Sequence, residues 1–398
     1  MGIDPARLAS VTALTHRYVD DGRFPNAVTA VLHGGEEVYR DAYGWADVVD
    51  RTPIAEDSIF RIFSMTKPIA SLALLQQLEQ AKVLLEDPIG RYIPELADLA
   101  VWVGGTEDAP ETVPAERPVT VRHVLTHTAG FTAGFQFGQP VGALYRNAGL
   151  GDLRPPRFDL AGSMEVLGRM PLVSHPGTRF HYGMSTDVVG RLVEVLSGQS
   201  FDDYLREQVF EPLGMVDTGF FVPEDQIHRF ISNYFRTPDE PLFRVDTPDA
   251  GRHSKPPQFL SGAGGLVSTL DDYLRFARML LGGGELDGHR VIGRRTLEYM
   301  ALNHLPGGQT LNDIGQDTFS EVSLDGMGFG LGVAVVLDPA ELGAMASVGE
   351  YGWGGAASTV FWIDPVEDVA VVFLTQLVPS DSYPIRRQLR WAVNRALT

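Results

Sequence analysis

Two residues that could carry out nucleophilic chemistry, Ser64 and Lys67, lie three positions apart where a short apolar run meets a predicted helix. Residues at this spacing on a helix face the same way, so the two side chains can share one site. The first helical turn has unpaired N–H groups and favours negative charge, which suits an alkoxide and an oxyanion. A lysine can accept the serine proton only if its pKa falls well below about 10.4, which burial can bring about. The pair therefore predicts a serine nucleophile with a lysine base.

The S-x-x-K spacing alone also fits a solvated turn of helix, and it recurs by chance in a chain of this length. Its surroundings favour a catalytic interpretation. The serine follows the β-like run Ile59 to Phe63, and the residues around Lys67 are apolar rather than charged. Pro68 sits early enough in the helix that its missing N–H costs little.

Composition and charge narrow the function classes. The chain has 398 residues, 44% of them hydrophobic, with 32 basic and 51 acidic side chains and a net charge of -19. This length and composition suffice for one large domain or two closely packed lobes. The acidic balance argues against a nucleic-acid partner and against binding to an anionic membrane, because both require clustered cations.

The absence of cysteine excludes disulfides, cysteine–metal sites and a thiol nucleophile. The N-terminal residues M-G-I-D-P-A-R-L-A-S lack a charged segment followed by an apolar one, and no apolar run is long enough to span a bilayer. We therefore expect a cytoplasmic protein.

The hydrophobic patterns place strands at both ends of the chain and helices between them. Asn26 to His33 and Glu37 to Tyr43 are typical of a hairpin joined at Gly34-Gly35. The predicted C-terminal strands are Phe329 to Leu337, Ser358 to Ile363 and Val369 to Leu374. Because short turns join strands antiparallel, we expect an α+β fold with one antiparallel sheet made from the N- and C-terminal segments and flanked by helices.

The same patterns suggest two domains. Residues 1–83 and 230–398 would form the sheet domain, and residues 84–229 a mostly helical insert. Residues 84–118 have the composition of a surface loop, and Thr120 is a predicted N-cap of a short helix. Ser64 lies where the chain leaves the sheet for the insert, so we expect the active-site cleft between the two domains.

His123 and His127 are four residues apart, a spacing that metal sites use. No third group of ligands stands near them in the sequence, and histidines held by hydrogen bonds at a helix end are the favoured alternative. We therefore predict no metal and no organic cofactor.

Four segments occur in an order that resembles one known family. They are S-M-T-K at 64–67, L-T-H-T-A-G-F at 125–131, H-P-G-T-R-F-H followed by Tyr182, and W-G-G at 353–355. Together they resemble the serine β-lactamase and penicillin-binding superfamily, and within it the class C-like esterases known as family VIII carboxylesterases and their acyltransferase relatives. The resemblance extends from about Leu8 to Leu397 and implies a β-lactamase/transpeptidase-like fold.

The resemblance implies a role for each matching residue. Ser64 would be the nucleophile, while Lys67 and Tyr182 would share the proton transfers. A nearby lysine ammonium should lower the pKa of the Tyr182 phenol, which we expect to be deprotonated or strongly hydrogen-bonded. The oxyanion hole would consist of the backbone N–H groups of Ser64 and Ala356, on a glycine-rich edge strand that closes the site.

Two departures from the family pattern point to the substrate. Trp353 stands where the β-lactamases carry the lysine of Lys-Thr-Gly, and Met184 stands where they carry an asparagine. Both changes remove polar contacts suited to a β-lactam and add apolar surface. The predicted substrate-binding residues are Trp353, Gly354, Gly355, Met184, Phe131 and Phe135.

The sequence thus predicts a serine carboxylesterase that acts on small, short-acyl, neutral esters through an acyl-serine intermediate. Its partners would be the ester and, if the acyl group is transferred rather than hydrolysed, an acceptor alcohol. Acyl transfer, a β-lactamase or DD-peptidase activity, and a non-enzymatic penicillin-binding-like module remain alternatives. No G-x-S-x-G is present, so an α/β-hydrolase nucleophile elbow is unsupported.

Overall fold

The computed structural model describes residues 2–151, 157–315 and 321–398. In chain order its strands are β1 (Asn26–His33), β2 (Glu36–Asp47), β3 (Thr52–Pro53), β4 (Phe60–Arg61), β5 (Ala100–Gly105), β6 (Pro110–Pro114), β7 (Asn233–Phe235), β8 (Phe243–Asp246), β9 (Val267–Ser268), β10 (Glu285–Leu286), β11 (His289–Arg290), β12 (Met327–Phe329), β13 (Ala334–Val336), β14 (Tyr351–Gly354), β15 (Val360–Asp364), β16 (Val369–Leu374) and β17 (Leu377–Val378).

The helices alternate with these strands and concentrate in the middle of the chain. They are α1 (Ala9–Asp20), α2 (Thr66–Glu79), α3 (Val121–Leu125), α4 (Pro140–Ala148), α5 (Leu160–Leu167), α6 (Ser185–Ser197), α7 (Phe201–Leu205), α8 (Glu211–Leu213), α9 (Leu270–Leu281), α10 (Arg294–Met300), α11 (Leu311–Ile314), α12 (Pro339–Leu342) and α13 (Ile385–Asn394).

An eight-stranded sheet joins the two ends of the chain. Its order is β12-β13-β14-β15-β16-β1-β2-β3, and every neighbouring pair is antiparallel. The N-terminal hairpin meets the C-terminal strands where β1 pairs with β16, with Val28 opposite Leu374. The predicted α+β architecture, with one antiparallel sheet built from both ends of the chain, is therefore confirmed.

Successive residues along the strands point alternately into two hydrophobic cores. In β1, Val28 and Ala30 belong to the core that contains α2 and α9, whereas Ala27 and Val31 belong to the core that contains α1 and α13. This period of two is what a strand covered on both faces requires. The sheet is thus a layer between helices, and its strands are almost entirely buried except for β2 and β3 at one edge.

Helix α2, which follows Ser64, is buried on every side. All of its residues from Thr66 to Gln77 are buried, as expected for a helix with apolar residues all round. Any polar group on this helix is therefore removed from water, and this includes Lys67.

Two predicted elements differ from the structure. The run Phe329 to Leu337 is two strands, β12 and β13, because the chain turns at Gly332, whose φ is 94°. A methyl group at Gly332 would lie 2.0 Å from the Ser71 hydroxyl, so the turn packs directly on α2. Residues 84–118, predicted as loop, contain the β5–β6 hairpin. The division into two domains stays a prediction.

The short helix predicted after Thr120 is confirmed as α3. The Thr120 hydroxyl accepts a hydrogen bond from the His123 backbone, and the His123 ring accepts one from the Thr120 backbone. Among the described helices, none combines the length and the apolarity needed to cross a lipid bilayer.

Truncation of a side chain in α2 should destabilise the protein strongly. Leu72 is fully buried, so Leu72→Ala should lower the free energy of unfolding by about 2–5 kcal/mol, because the lost contacts leave a cavity. Leu84 is 63% exposed, and Leu84→Ala is the matched control with an expected change within about 0.5 kcal/mol. Urea denaturation of both variants measures the difference. Equal effects would contradict the placement of α2 in the core.

Candidate active site

Ser64 lies in a sharp turn between β4 and α2. The turn is a single 3-10 segment, Phe63–Met65, and Phe63 adopts a positive φ of 43°. This left-handed conformation is costly for a bulky residue and persists only where its surroundings impose it. The Tyr273 hydroxyl holds the same turn by donating to the Met65 carbonyl at 2.9 Å. The strained turn places the Ser64 side chain just before the first turn of α2.

The side chains of Lys67 and Tyr182 both reach the Ser64 hydroxyl. Tyr182 Oη donates to Ser64 Oγ at 2.6 Å, and Lys67 Nζ lies 3.3 Å from the same atom. Ser64 is 8% exposed, so a substrate atom can still reach it, whereas Lys67 and Tyr182 are almost completely buried. The structure therefore brings the three predicted residues together around one oxygen.

Burial alters the proton affinity of Lys67. It lowers the pKa of the Lys67 amine to about 8, although the nearby carboxylates of Asp187 and Glu321 act in the opposite direction. Lys67 Nζ also donates to the Ala263 carbonyl at 2.6 Å and lies 4.4 Å from the centre of the Tyr182 ring. A substantial fraction of the amine is therefore neutral at mildly alkaline pH and can accept a proton.

Burial acts on Tyr182 in the other direction. It raises the pKa of the phenol well above its ordinary value, and the charge of Glu321 adds to this effect. The prediction that Lys67 lowers the Tyr182 pKa is therefore wrong. The family resemblance indicated a nearby cation, but the removal of the phenolate from water has the largest effect on this pKa. Tyr182 is therefore a neutral phenol, and its hydroxyl donates a hydrogen bond to Ser64 Oγ.

Several backbone contacts fix Tyr182. The His181 N–H donates to the His127 carbonyl at 2.8 Å, and Gln136 Nε2 donates to the Tyr182 carbonyl at 2.9 Å. Gly183 packs so closely that a methyl group there would lie 2.4 Å from the Thr132 carbonyl carbon. The segment L-T-H-T-A-G-F thus supports the tyrosine instead of contacting the nucleophile.

The two spaced histidines do not form a metal site. Burial lowers the pKa of His127 well below its ordinary value, so its ring is neutral, and it packs 5.2 Å from the Tyr182 ring. His123 belongs to the N-terminal cap of α3. Within the described ranges, no cluster of histidine and carboxylate side chains could hold a metal ion.

Asp187, which sequence analysis did not single out, supports Lys67. Its Oδ1 accepts hydrogen bonds from the Ser261 hydroxyl at 2.7 Å and from the Ala263 N–H at 3.1 Å. The carbonyl of Ala263 in turn holds Lys67. A possible sequence signal was the position of Asp187 on the buried face of α6, beside Val188. A charged residue there needs an internal partner.

The end of β14 lies beside the turn that carries Ser64. Gly355 approaches this turn so closely that a methyl group on it would lie 2.4 Å from the Ile62 carbonyl oxygen. Ala356 follows and is partly exposed; within the described residues its N–H has no hydrogen-bond partner. This N–H is thus free for a substrate oxygen.

The expectation of an edge strand is wrong, because β14 lies between β13 and β15.

The predicted substrate-binding residues fall into two groups. Trp353 and Phe135 surround Tyr182, with ring centres 5.6 and 6.2 Å from its ring. Phe131 and Met184 are completely buried in the core around α2 and α6. Gly354 is the last residue of β14, and Gly355 follows it. The contact of these residues with substrate stays a prediction.

Comparisons with known proteins agree with the resemblance. A family model described as Beta-lactamase matches residues 11–395. Protein Rv1367c of Mycobacterium tuberculosis is 35% identical over 370 residues, which cover 90% of this chain and 88% of the relative. Esterase EstB of Burkholderia gladioli is 30% identical over 415 residues, which cover 98% and 96%. The predicted membership of the superfamily that includes the family VIII esterases is confirmed.

A solved structure shows the same fold. EstCE1, described as a hydrolase with promiscuous acyltransferase activity, superposes with a TM-score of 0.80 at 24% identity and covers 98% of this chain and 99% of its own. The predicted β-lactamase/transpeptidase-like fold is therefore confirmed.

The reactivity of Ser64 should rise with pH through about 8. Below this value Lys67 is an ammonium and cannot accept the serine proton, and above it the amine is neutral. The Tyr182 phenol keeps its proton far beyond this range, so no descending limb is expected up to pH 10. The measurement is the second-order rate of labelling by a fluorophosphonate between pH 6 and 10. A rate that stays constant from pH 6.5 to 9.5 would contradict the role given to Lys67.

Proposed function

This chain belongs to the beta-lactamase family and is a serine hydrolase; from that premise we propose that it is a carboxylesterase which forms an acyl-enzyme on Ser64. One observation carries the proposal above the others. The Ser64 hydroxyl lies 2.6 Å from a neutral phenol and 3.3 Å from an amine of lowered pKa, in a site largely closed to water. A weak alcohol nucleophile needs such a base and such an acid.

In the first half of the reaction the neutral Lys67 amine takes the proton of Ser64 as Oγ bonds to the ester carbonyl carbon. The carbonyl oxygen becomes an oxyanion, to which the N–H groups of Ser64 and Ala356 donate. The C–O bond to the alcohol then breaks, and the departing alkoxide receives the proton of Tyr182. The Lys67 ammonium returns a proton to the phenolate, so both groups end neutral.

In the second half a water molecule attacks the acyl-serine. Lys67 and Tyr182 repeat their transfers in the reverse sense, because deacylation is the same reaction with water in place of the alcohol. Hydrolysis releases the carboxylic acid and free Ser64. An alcohol bound in place of water would give a new ester instead.

The surroundings of Ser64 favour a neutral ester of small size. Trp353 places an uncharged indole where a lysine would attract a substrate carboxylate, and its buried ring packs on Tyr182 and Phe329. Phe135, which is partly exposed, provides an aromatic surface at the same tyrosine. Apolar groups of this kind bind short acyl and alkyl chains without a charge partner.

Acyl transfer is the second candidate function. EstCE1, which shares the fold, is described as having promiscuous acyltransferase activity. The limited exposure of Ser64 also favours a bound acceptor over bulk water at the acyl-enzyme stage.

Removal of either proton-transfer group should lower turnover without unfolding the protein. Lys67→Ala and Tyr182→Phe should each lower kcat on p-nitrophenyl acetate by at least about 10²-fold. Tyr145→Phe is the control for the tyrosine, because Tyr145 is equally buried and its hydroxyl contacts backbone groups, the Pro171 carbonyl at 3.4 Å and the backbone of Thr132. Lys82→Ala, which removes a contact to Gln77, is the control for the lysine. A variant that keeps near wild-type kcat would remove that residue from the mechanism.

The protein should hydrolyse ester and β-lactam substrates at clearly different rates. We expect short p-nitrophenyl esters to be hydrolysed far faster than nitrocefin, because Trp353 supplies no charge for the lactam carboxylate. Fluorophosphonate labelling and ester hydrolysis should both disappear in Ser64→Ala. An added alcohol that captures the acyl group as an ester would establish transfer. Comparable rates on nitrocefin would overturn the substrate proposal, and an unlabelled wild-type protein would favour a binding module.

A further inference from the structure

Arg386, in the first turn of α13, reaches across to the turn that follows β14. Its Nη2 donates to the Gly355 carbonyl at 2.7 Å and to the Thr359 carbonyl at 2.8 Å. The side chain is only 15% exposed. These two carbonyls flank Ala356, whose N–H is the oxyanion donor in the proposed mechanism.

The Gly355 carbonyl and the Ala356 N–H belong to the same peptide group. A trans peptide is planar, so its C=O and N–H bonds point in opposite directions. A guanidinium that holds the carbonyl therefore also sets the direction of the N–H. A cation on the carbonyl oxygen also polarises the peptide and strengthens its N–H as a donor, since hydrogen bonds in a chain reinforce one another.

The two glycines of W-G-G fit this arrangement. A methyl group at Gly354 would lie 2.5 Å from Arg386 Cζ, so the guanidinium can approach only a glycine. Gly355 makes the close approach to Ile62 on the other side. The peptide is thus held between the arginine and the turn that carries Ser64.

A carboxylate balances the buried cation. Glu321 is 1% exposed; its Oε2 lies 3.3 Å from Arg386 Nη2 and accepts the Ser380 hydroxyl at 2.8 Å. Arg386 Nη1 also donates to the Glu321 carbonyl. The guanidinium is therefore fixed by partners on both sides, as positioning of a neighbouring group requires.

We propose that Arg386 is a positioning residue of the oxyanion hole, which aligns and polarises the Gly355–Ala356 peptide so that its N–H meets the developing charge. This inference rests on the proposed acyl-enzyme function. Arg386 touches neither substrate nor Ser64 and acts through the peptide alone.

A second arginine on the same helix provides a matched control. Arg390 lies one turn further along α13, is 12% exposed and pairs with Glu350, itself 1% exposed, at 2.8 Å. Arg390 stacks over Trp362 and so joins α13 to the sheet, as Arg386 does. Unlike Arg386, it has no hydrogen bond to the Gly355–Ala356 peptide in the described structure. A purely structural role would make the two arginines equivalent.

The test compares Arg386→Met, Arg386→Lys and Arg390→Met on a p-nitrophenyl ester and on its thionoester, in which sulfur replaces the carbonyl oxygen. Arg386→Met should lower kcat on the ester by about 10- to 100-fold, with KM within about threefold, because the donor is misaligned rather than removed. The preference for ester over thionoester should shrink in parallel, since it depends on the N–H donors. Arg386→Lys should recover part of both, and Arg390→Met should change neither by more than about threefold.

Equal effects of Arg386→Met and Arg390→Met, a change in KM alone, or an unchanged thionoester ratio would each overturn the proposal. If Arg386→Met does not fold, Gly354→Ala replaces it, because its methyl group displaces the guanidinium and keeps the charge. Gly354→Ala should then show the same loss of kcat and of ester preference, and an unchanged ratio would overturn the proposal. Wild-type esterase activity that is lost in Ser64→Ala keeps the proposed function intact in every such case.

Discussion

The burial of one amine is the constraint on which the site depends. Lys67 lies on a helix that is enclosed on all sides, so its charged form loses its hydration. The resulting change of its pKa from 10.5 to about 8 corresponds to roughly 3 kcal/mol in favour of the neutral amine. The negative charges of Asp187 and Glu321 favour the ammonium form and so limit the decrease in the Lys67 pKa. The amine is thereby held near the pH range in which a base is useful.

The same burial gives Lys67 and Tyr182 complementary roles. Loss of water favours the neutral form of each group, which is a proton acceptor for the amine and a proton donor for the phenol. The two groups meet at Ser64 Oγ without forming an ion pair. Neither therefore requires the charge of the other, and above a pH of about 8 both protonation states needed at the start of the proposed reaction are the stable ones.

Local patterns predicted the parts of the site that lie close together in sequence. The spacing of Ser64 and Lys67 on one helix face is fixed by helical geometry, and the hairpin at Gly34-Gly35 and the strand Val369–Leu374 follow from alternation and turn residues. Tyr182 lies 118 positions from Ser64, and only the family resemblance linked them. Its pKa was misjudged because sequence indicates neighbours but not burial. Asp187 and Arg386 were missed because their partners, Ala263 and Gly355, lie on other elements.

The charges around the nucleophile are consistent with the proposed preference for uncharged substrates. The Lys67 amine is held by the Ala263 carbonyl, and the Arg386 guanidinium is occupied by Glu321 and by two backbone carbonyls. Lys67 and Arg386 thus already have internal partners. A substrate carboxylate would displace one of these contacts and leave a buried carboxylate or carbonyl unsatisfied, at a cost of about 1–3 kcal/mol or more. A neutral ester, the proposed substrate, requires no such exchange, because in the proposed mechanism it needs only the N–H donors.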